Sequence, residues 1–222
     1  MNAETWAIAQ FTVLMASIAI TLVLPPAIAI GWLFARRDFR GKALLETIVA
    51  LPLVLPPVAS GLVLLWLFGR RSPLGRFLDS IGIEVIFTWK AVVVAMMVIS
   101  FPLVARSVRA GIEQVDHRFE QIAATLGAGP FRIVRTITLP LAMRGIVAGA
   151  ILGFSRALGE FGATIMVAGA IPGRTQTLAV GIYTHVETGR EEAAWGLVLI
   201  SAILAFGAIF VSNRLVGRKV AA

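Results

Sequence analysis

Two ionisable residues sit inside an otherwise apolar stretch, FSRALGEFGA: Arg156 and Glu160, four positions apart. An ionised arginine near the middle of a bilayer costs about 2.5–3.5 kcal/mol on insertion scales, so it needs a partner or a task. A spacing of one helical turn lets the two side chains meet on one face, in the less favourable order with the cation first. Two chemistries fit. One is a structural ion pair that faces the bundle interior and fixes helix register. In the other, Arg156 lends positive potential to a pathway for a dianion while Glu160, with Ser155 beside them, tempers its grip, because conduction requires weak binding. Other chemistry is excluded by residue type. There is no cysteine, hence no disulfide, thiolate metal site or cysteine nucleophile. The two histidines, His117 and His185, are far apart in sequence, and no metal site is expected. A G-x-x-x-x-G-K-[ST] phosphate loop is also absent, so the chain is expected to catalyse no bond chemistry itself.

The elements that carry these residues are membrane spans. Apolar residues make up 58% of the chain and charged residues only 14%, with a mean hydropathy of +0.89. Soluble domains carry about 25% charged residues. About 20 apolar residues cross the hydrocarbon core as a helix. Five spans are expected, at about 6–34, 45–69, 86–105, 144–170 and 193–213, in one domain over 1–222, with a loop at about 106–143. The third is expected to begin near Val85 with Lys90 snorkelling toward headgroups. The proline pairs Pro25-Pro26 and Pro56-Pro57 mark either kinks or broken helices that line a cavity.

Basic residues set the orientation. ARRDFRGK holds four, the stretch from Arg106 to Arg144 six and SNRLVGRKVAA three, against six on the alternate side. The positive-inside bias therefore places the N-terminus outside and the C-terminus inside. The same bias accounts for the net charge of +8; the basic residues lack the aromatic interleaving of a single-strand platform, and no nucleic acid is expected. No basic residue precedes the first apolar run, so no cleaved leader is expected. Trp66, Trp89 and Trp195 fall near outer span ends as interfacial anchors, and Tyr183, His185 and Glu187 fall in an outer loop.

One polar interval in this chain, EQIAATLGAGPFRIVRTITLP, is then cytoplasmic. Phe119, Ile122, Ala123 and Leu126 recur at i, i+3, i+4 and i+7 and share one face of a short helix that Gly127 and Gly129-Pro130 end. A second helical pattern through Val134, Ile137 and Leu141 leads into the fourth span. Such a helix either lies on the bilayer or enters a groove on a soluble partner.

The interval resembles the EAA loop of transmembrane subunits in binding-protein-dependent ABC importers: E-A-A, three residues, Gly, nine residues, then I-x-L-P. Gly127 and Ile137-Thr138-Leu139-Pro140 are in register, while the E-A-A positions hold Gln121-Ile122-Ala123 with Glu120 one place early. FSRALGEFGATIMVAG is similar to a segment shared by the molybdate and sulfate permeases of that superfamily. The TQTL-x3-IY pattern at 175–183 and the proline-rich LPLVLPPVASGLVLL resemble the molybdate branch. The resemblance implies an all-α, type I ABC importer permease fold in a bacterial or archaeal inner membrane. It also implies a homodimer with two cytoplasmic ATPase subunits that hold ATP and Mg, and a binding protein outside that delivers molybdate, or its near isostere tungstate. Sulfate is the neighbouring alternative. The docking residues it implies for the ATPase are Phe119, Glu120, Gln121, Ala123, Leu126 and Gly127. A stand-alone anion channel or carrier would have no reason to carry this loop, and a non-transporting scaffold would leave Arg156 and Glu160 without a transport role.

Overall fold

The computed structural model describes residues 3–216. Its helices are α1 (Ala3–Arg36), α2 (Lys42–Val54), α3 (Pro57–Phe68), α4 (Pro73–Ser80), α5 (Trp89–Glu113) and α6 (His117–Thr125). They continue with α7 (Pro130–Ile133), a π-helical turn Val134–Thr138, α8 (Leu139–Leu158), α9 (Gly162–Ala168), α10 (Leu178–Glu187) and α11 (Glu191–Val216). Four of these segments are long and apolar enough to cross a membrane, the α7–α8 run included; the bent pair α2–α3 brings the number to five.

α5 is the central post. Val92, Met96, Ile99, Val104 and Val108 on it are fully buried, against Met15, Ala16 and Val23 of α1 on one side and Ile146 and Ala157 of α8 on the other. The α5–α8 crossing depends on missing side chains: a Cβ on Gly145 would stand 2.6 Å from the Gly111 Cα, and one on Gly153 would stand 2.4 Å from Val104. Small residues let backbones approach where lipid gives no hydrophobic drive between helices. α11 and α2, by contrast, leave Phe206, Ile203, Ile48 and Leu44 exposed, as helices facing lipid or another subunit do.

The two proline pairs behave differently. At Leu55-Pro56-Pro57 both residues that precede a proline adopt extended geometry, and α2 and α3 meet at a bend of 110°. Pro57 then takes the first position of α3, where its missing N–H costs nothing. Pro25-Pro26 lie on the exposed side of α1, which stays helical because flanking Val23 and Ala27 are locked against Val104, Ala105 and Val108. Packing overrides local preference there.

Two expected spans and one expected loop change. The third span starts at Trp89, where the Thr88 hydroxyl caps the helix by accepting from Lys90 N–H, and it runs beyond 105 to Glu113. It extends because Arg109 is paired there with Glu46 at 2.8 Å and Glu113 at 2.7 Å, so the loop begins near Gln114. The fourth span is no single helix over 144–170: it starts at Leu139 after the π turn, stops at Leu158 and resumes as α9. Tyr183, His185 and Glu187 belong to α10 rather than a loop, with His185 buried and Tyr183 donating a hydrogen bond to the Glu187 carboxylate.

Candidate functional site

Two places hold the residues singled out by sequence. The first is α6 and the turns around it. Asp116 starts the helix, its carboxylate accepting from Arg118 N–H at 2.9 Å. The other end closes as a Schellman turn: Ala128 N–H donates to the Ala123 carbonyl and Gly127 N–H to the Ala124 carbonyl, both at 3.0 Å. Gly127 makes this possible with φ 83°, a left-handed conformation that a Cβ resists.

The apolar face of α6 is not packed inside the chain. Phe119 is 53% exposed, Ile122 57% and Leu126 82%. With Ala123 they form one wall of an open groove of about 430 Å³, whose other wall is Thr136, Ile137, Pro140 and Leu141. Phe131, at the start of α7, is a further exposed aromatic, at 79%. Gln121 and Gly127 are exposed as well. Contiguous apolar surface rimmed by polar residues marks an interaction site.

Glu120 faces the other way. Its carboxylate accepts from Arg36 Nε at 3.1 Å and from the Thr138 hydroxyl at 2.6 Å, and His117 Nδ1 lies 3.3 Å from its second oxygen. The Glu120 side chain is only 13% exposed. Of the six expected docking residues it is the one turned inward, where it ties α6 to the end of α1 and to the π turn. Nearby, the Lys42 ammonium at 2.9 Å holds the Asp38 carboxyl below its usual range. The π turn itself precedes Pro140, whose ring crowds the carbonyl four residues back and has no N–H to give; Leu139 N–H instead reaches the Val134 carbonyl, five back.

The second place is the break between α8 and α9. Arg156 Nη1 lies 3.1 Å from a Glu160 oxygen, and the other Glu160 oxygen accepts from Ala163 N–H at 2.8 Å, capping α9. Glu160 is fully buried, whereas the Arg156 side chain is one-third exposed. Ser155 is turned to its own helix, donating to the Ile151 carbonyl. The α9 N-terminus packs on that of α3, for a Cβ on Gly162 would come within 2.6 Å of Pro57. The two helix breaks therefore cross. Arg156 is twelve positions past Arg144, or roughly 18 Å along a helix. The capping role of Glu160 is not visible from the four-residue spacing; the Gly159-Glu160-Phe161-Gly162 run, with glycine on both sides of the carboxylate, is the available signal.

The comparisons with known proteins follow the same line. A family described as "Binding-protein-dependent transport system inner membrane component" matches residues 27–220. The chain belongs to this family of importer membrane components. Among curated members, the molybdenum transport system permease protein ModB of Escherichia coli (strain K12) is 45% identical over 212 residues, 95% of this chain and 93% of that one. The sulfate transport system permease protein CysW of Synechocystis is 35% identical over 196 residues, covering 88% and 71%. Among solved structures, the MetNI methionine ABC transporter in an inward-facing conformation aligns with a TM-score of 0.73 at 19% identity, covering 98% and 99% of the two chains. A bacterial alginate importer aligns at 0.70 and 15% identity, with 99% and 81% covered. These two share the fold, that of type I ABC importer permeases, and the chain is a multi-pass membrane transport component.

Proposed function

We propose that this importer component translocates molybdate, driven by ATP that a partner subunit hydrolyses. The observation that carries the substrate is the 45% identity to a molybdenum permease over 95% of the chain. Tungstate, a near isostere, is expected to share the route. In this reading the N-terminus lies outside and the C-terminus inside, and two copies enclose the pathway at their two-fold axis. Two ATPase subunits sit below and a molybdate-binding protein docks outside.

The groove walled by Phe119, Ile122, Ala123 and Leu126 supports α6 as the element that enters a cleft on the ATPase, and Gln121 and Gly127 on the same segment are exposed to it. Nucleotide-driven closure of the ATPases then moves α6, and the π turn passes that movement into α8. Arg156 carries the anion-facing role. Its partner Glu160 is committed to α9, so the open side of the guanidinium is what a passing dianion meets. Because a carboxylate already holds that cation, the grip on the anion stays weak, as conduction requires.

The sulfate reading rests on the 35% identity to a sulfate permease. Stimulation of ATP hydrolysis separates the two. The chain reconstituted with its ATPase and binding protein is expected to hydrolyse ATP faster when the binding protein carries molybdate. Stimulation by sulfate with none by molybdate would overturn the substrate assignment.

A further inference from the structure

The proposed docking helix is held to the membrane helices by little. Its apolar face is open, and its two ends are short turns at Val115-Asp116 and at Gly127–Gly129. The side chain that reaches back into the protein is Glu120. One of its oxygens takes hydrogen bonds from both Arg36, the last residue of α1, and Thr138, the last residue of the π turn before α8. The contacts are sheltered: Arg36 is 6% exposed in its side chain and Thr138 is fully buried. Arg36 also donates to the Val115 carbonyl at 2.9 Å, gripping the turn that leads into α6 as well as α6 itself. α1 and α8 are the two helices that flank α5.

From this geometry we infer that Arg36 is a positioning residue for coupling: through Glu120 it locks α6 to α1 and α8 at once, so that a displacement of α6 moves both walls of the α5 core together. Exchanging a whole buried ion pair for apolar groups is often neutral for stability, so what this pair supplies is register: it holds α6 against the end of α1 and the π turn, as a transmission joint needs. Without Arg36, α6 keeps its Asp116 cap, its Gly127 turn and its apolar face, yet a pull on it is absorbed in its flanking turns. The inference rests on the coupling role proposed for α6, and the test below separates the two.

Two measurements are made on Arg36→Gln, Arg36→Lys and Thr138→Val. The first is molybdate taken up per ATP hydrolysed in proteoliposomes with the ATPase and binding protein. The second is the distance distribution between spin labels at Gln121→Cys on α6 and Arg40→Cys beyond α1, clean because the chain has no cysteine of its own. Arg36→Gln is expected to lower the ratio by roughly tenfold or more, a typical coupling loss, and to broaden the distance distribution. Arg36→Lys should recover much of both. Thr138→Val, which keeps the ion pair and serves if Arg36→Gln does not fold, should lower the ratio by a smaller factor. Ratio and distances unchanged from wild type in the Arg36→Gln or, failing that, the Thr138→Val protein would overturn the inference. If wild type itself shows no ATP-dependent uptake, the coupling role falls, while the distance measurement still decides whether Arg36 ties α6 to α1.

Discussion

Replacing Gly127 with alanine tests the docking role proposed for α6 through its weakest link. The residue sits at φ 83° and a Cβ there would meet nothing within 4 Å, so the change adds no clash and acts on the backbone alone. An L-residue with a Cβ loses about 1–2 kcal/mol in the left-handed region. A nine-residue helix with few internal contacts has little stability to absorb that loss. The ratio of closed to open turn then falls by a factor of roughly 5–30, and the apparent affinity for the ATPase subunit falls by up to that factor as the open form comes to dominate. Asparagine tolerates this conformation better and should cost less. Titration of the ATPase subunit against the permease in nanodiscs gives the affinity directly. Alanine binding like wild type, or asparagine as damaging as alanine, would refute the link between the turn and docking.

Three further substitutions address other joints. Leu126→Asp, at a side chain 82% exposed, should leave thermal unfolding in detergent unchanged while weakening ATPase capture by about 2 kcal/mol or more, as loss of a buried anchor does. Gly145→Ala, which forces a Cβ to 2.6 Å from the Gly111 backbone, should destabilise the chain by about 1–3 kcal/mol; Gly207→Ala, inside α11 with nothing within 4 Å, should not destabilise in the same melts and should gain up to about 1 kcal/mol from helix propensity. Arg156→Ala strands the buried Glu160 and should cost about 3–5 kcal/mol of folding. Arg156→Met combined with Glu160→Gln should restore folded protein but not uptake; restored uptake would make the pair purely structural.

Much of this architecture is written in one-dimensional patterns. Uncharged runs mark the spans, and the 3.6-residue repeat of Phe119, Ile122 and Leu126 marks α6, because both are local properties of the chain. What escapes is decided by tertiary partners. Pro25-Pro26 and Pro56-Pro57 are the same dipeptide, yet only packing against α5 keeps the first helical. α5 outruns its hydrophobic run because Arg109 finds Glu46, 63 positions away in sequence. Glu120 reads as part of the docking surface until its partner Arg36, 84 positions away, turns it inward. The break at Gly159–Phe161 interrupts an apolar stretch that hydropathy alone joins into one span.

ATP-dependent uptake of labelled molybdate, in proteoliposomes that contain the chain with its ATPase and binding protein, measures the proposed function most directly. Uptake that requires ATP and both partners, and that tungstate blocks while sulfate does not, is the expected result. Uptake that persists without ATP or without the ATPase would mean the chain is a channel or carrier, and would contradict the importer assignment.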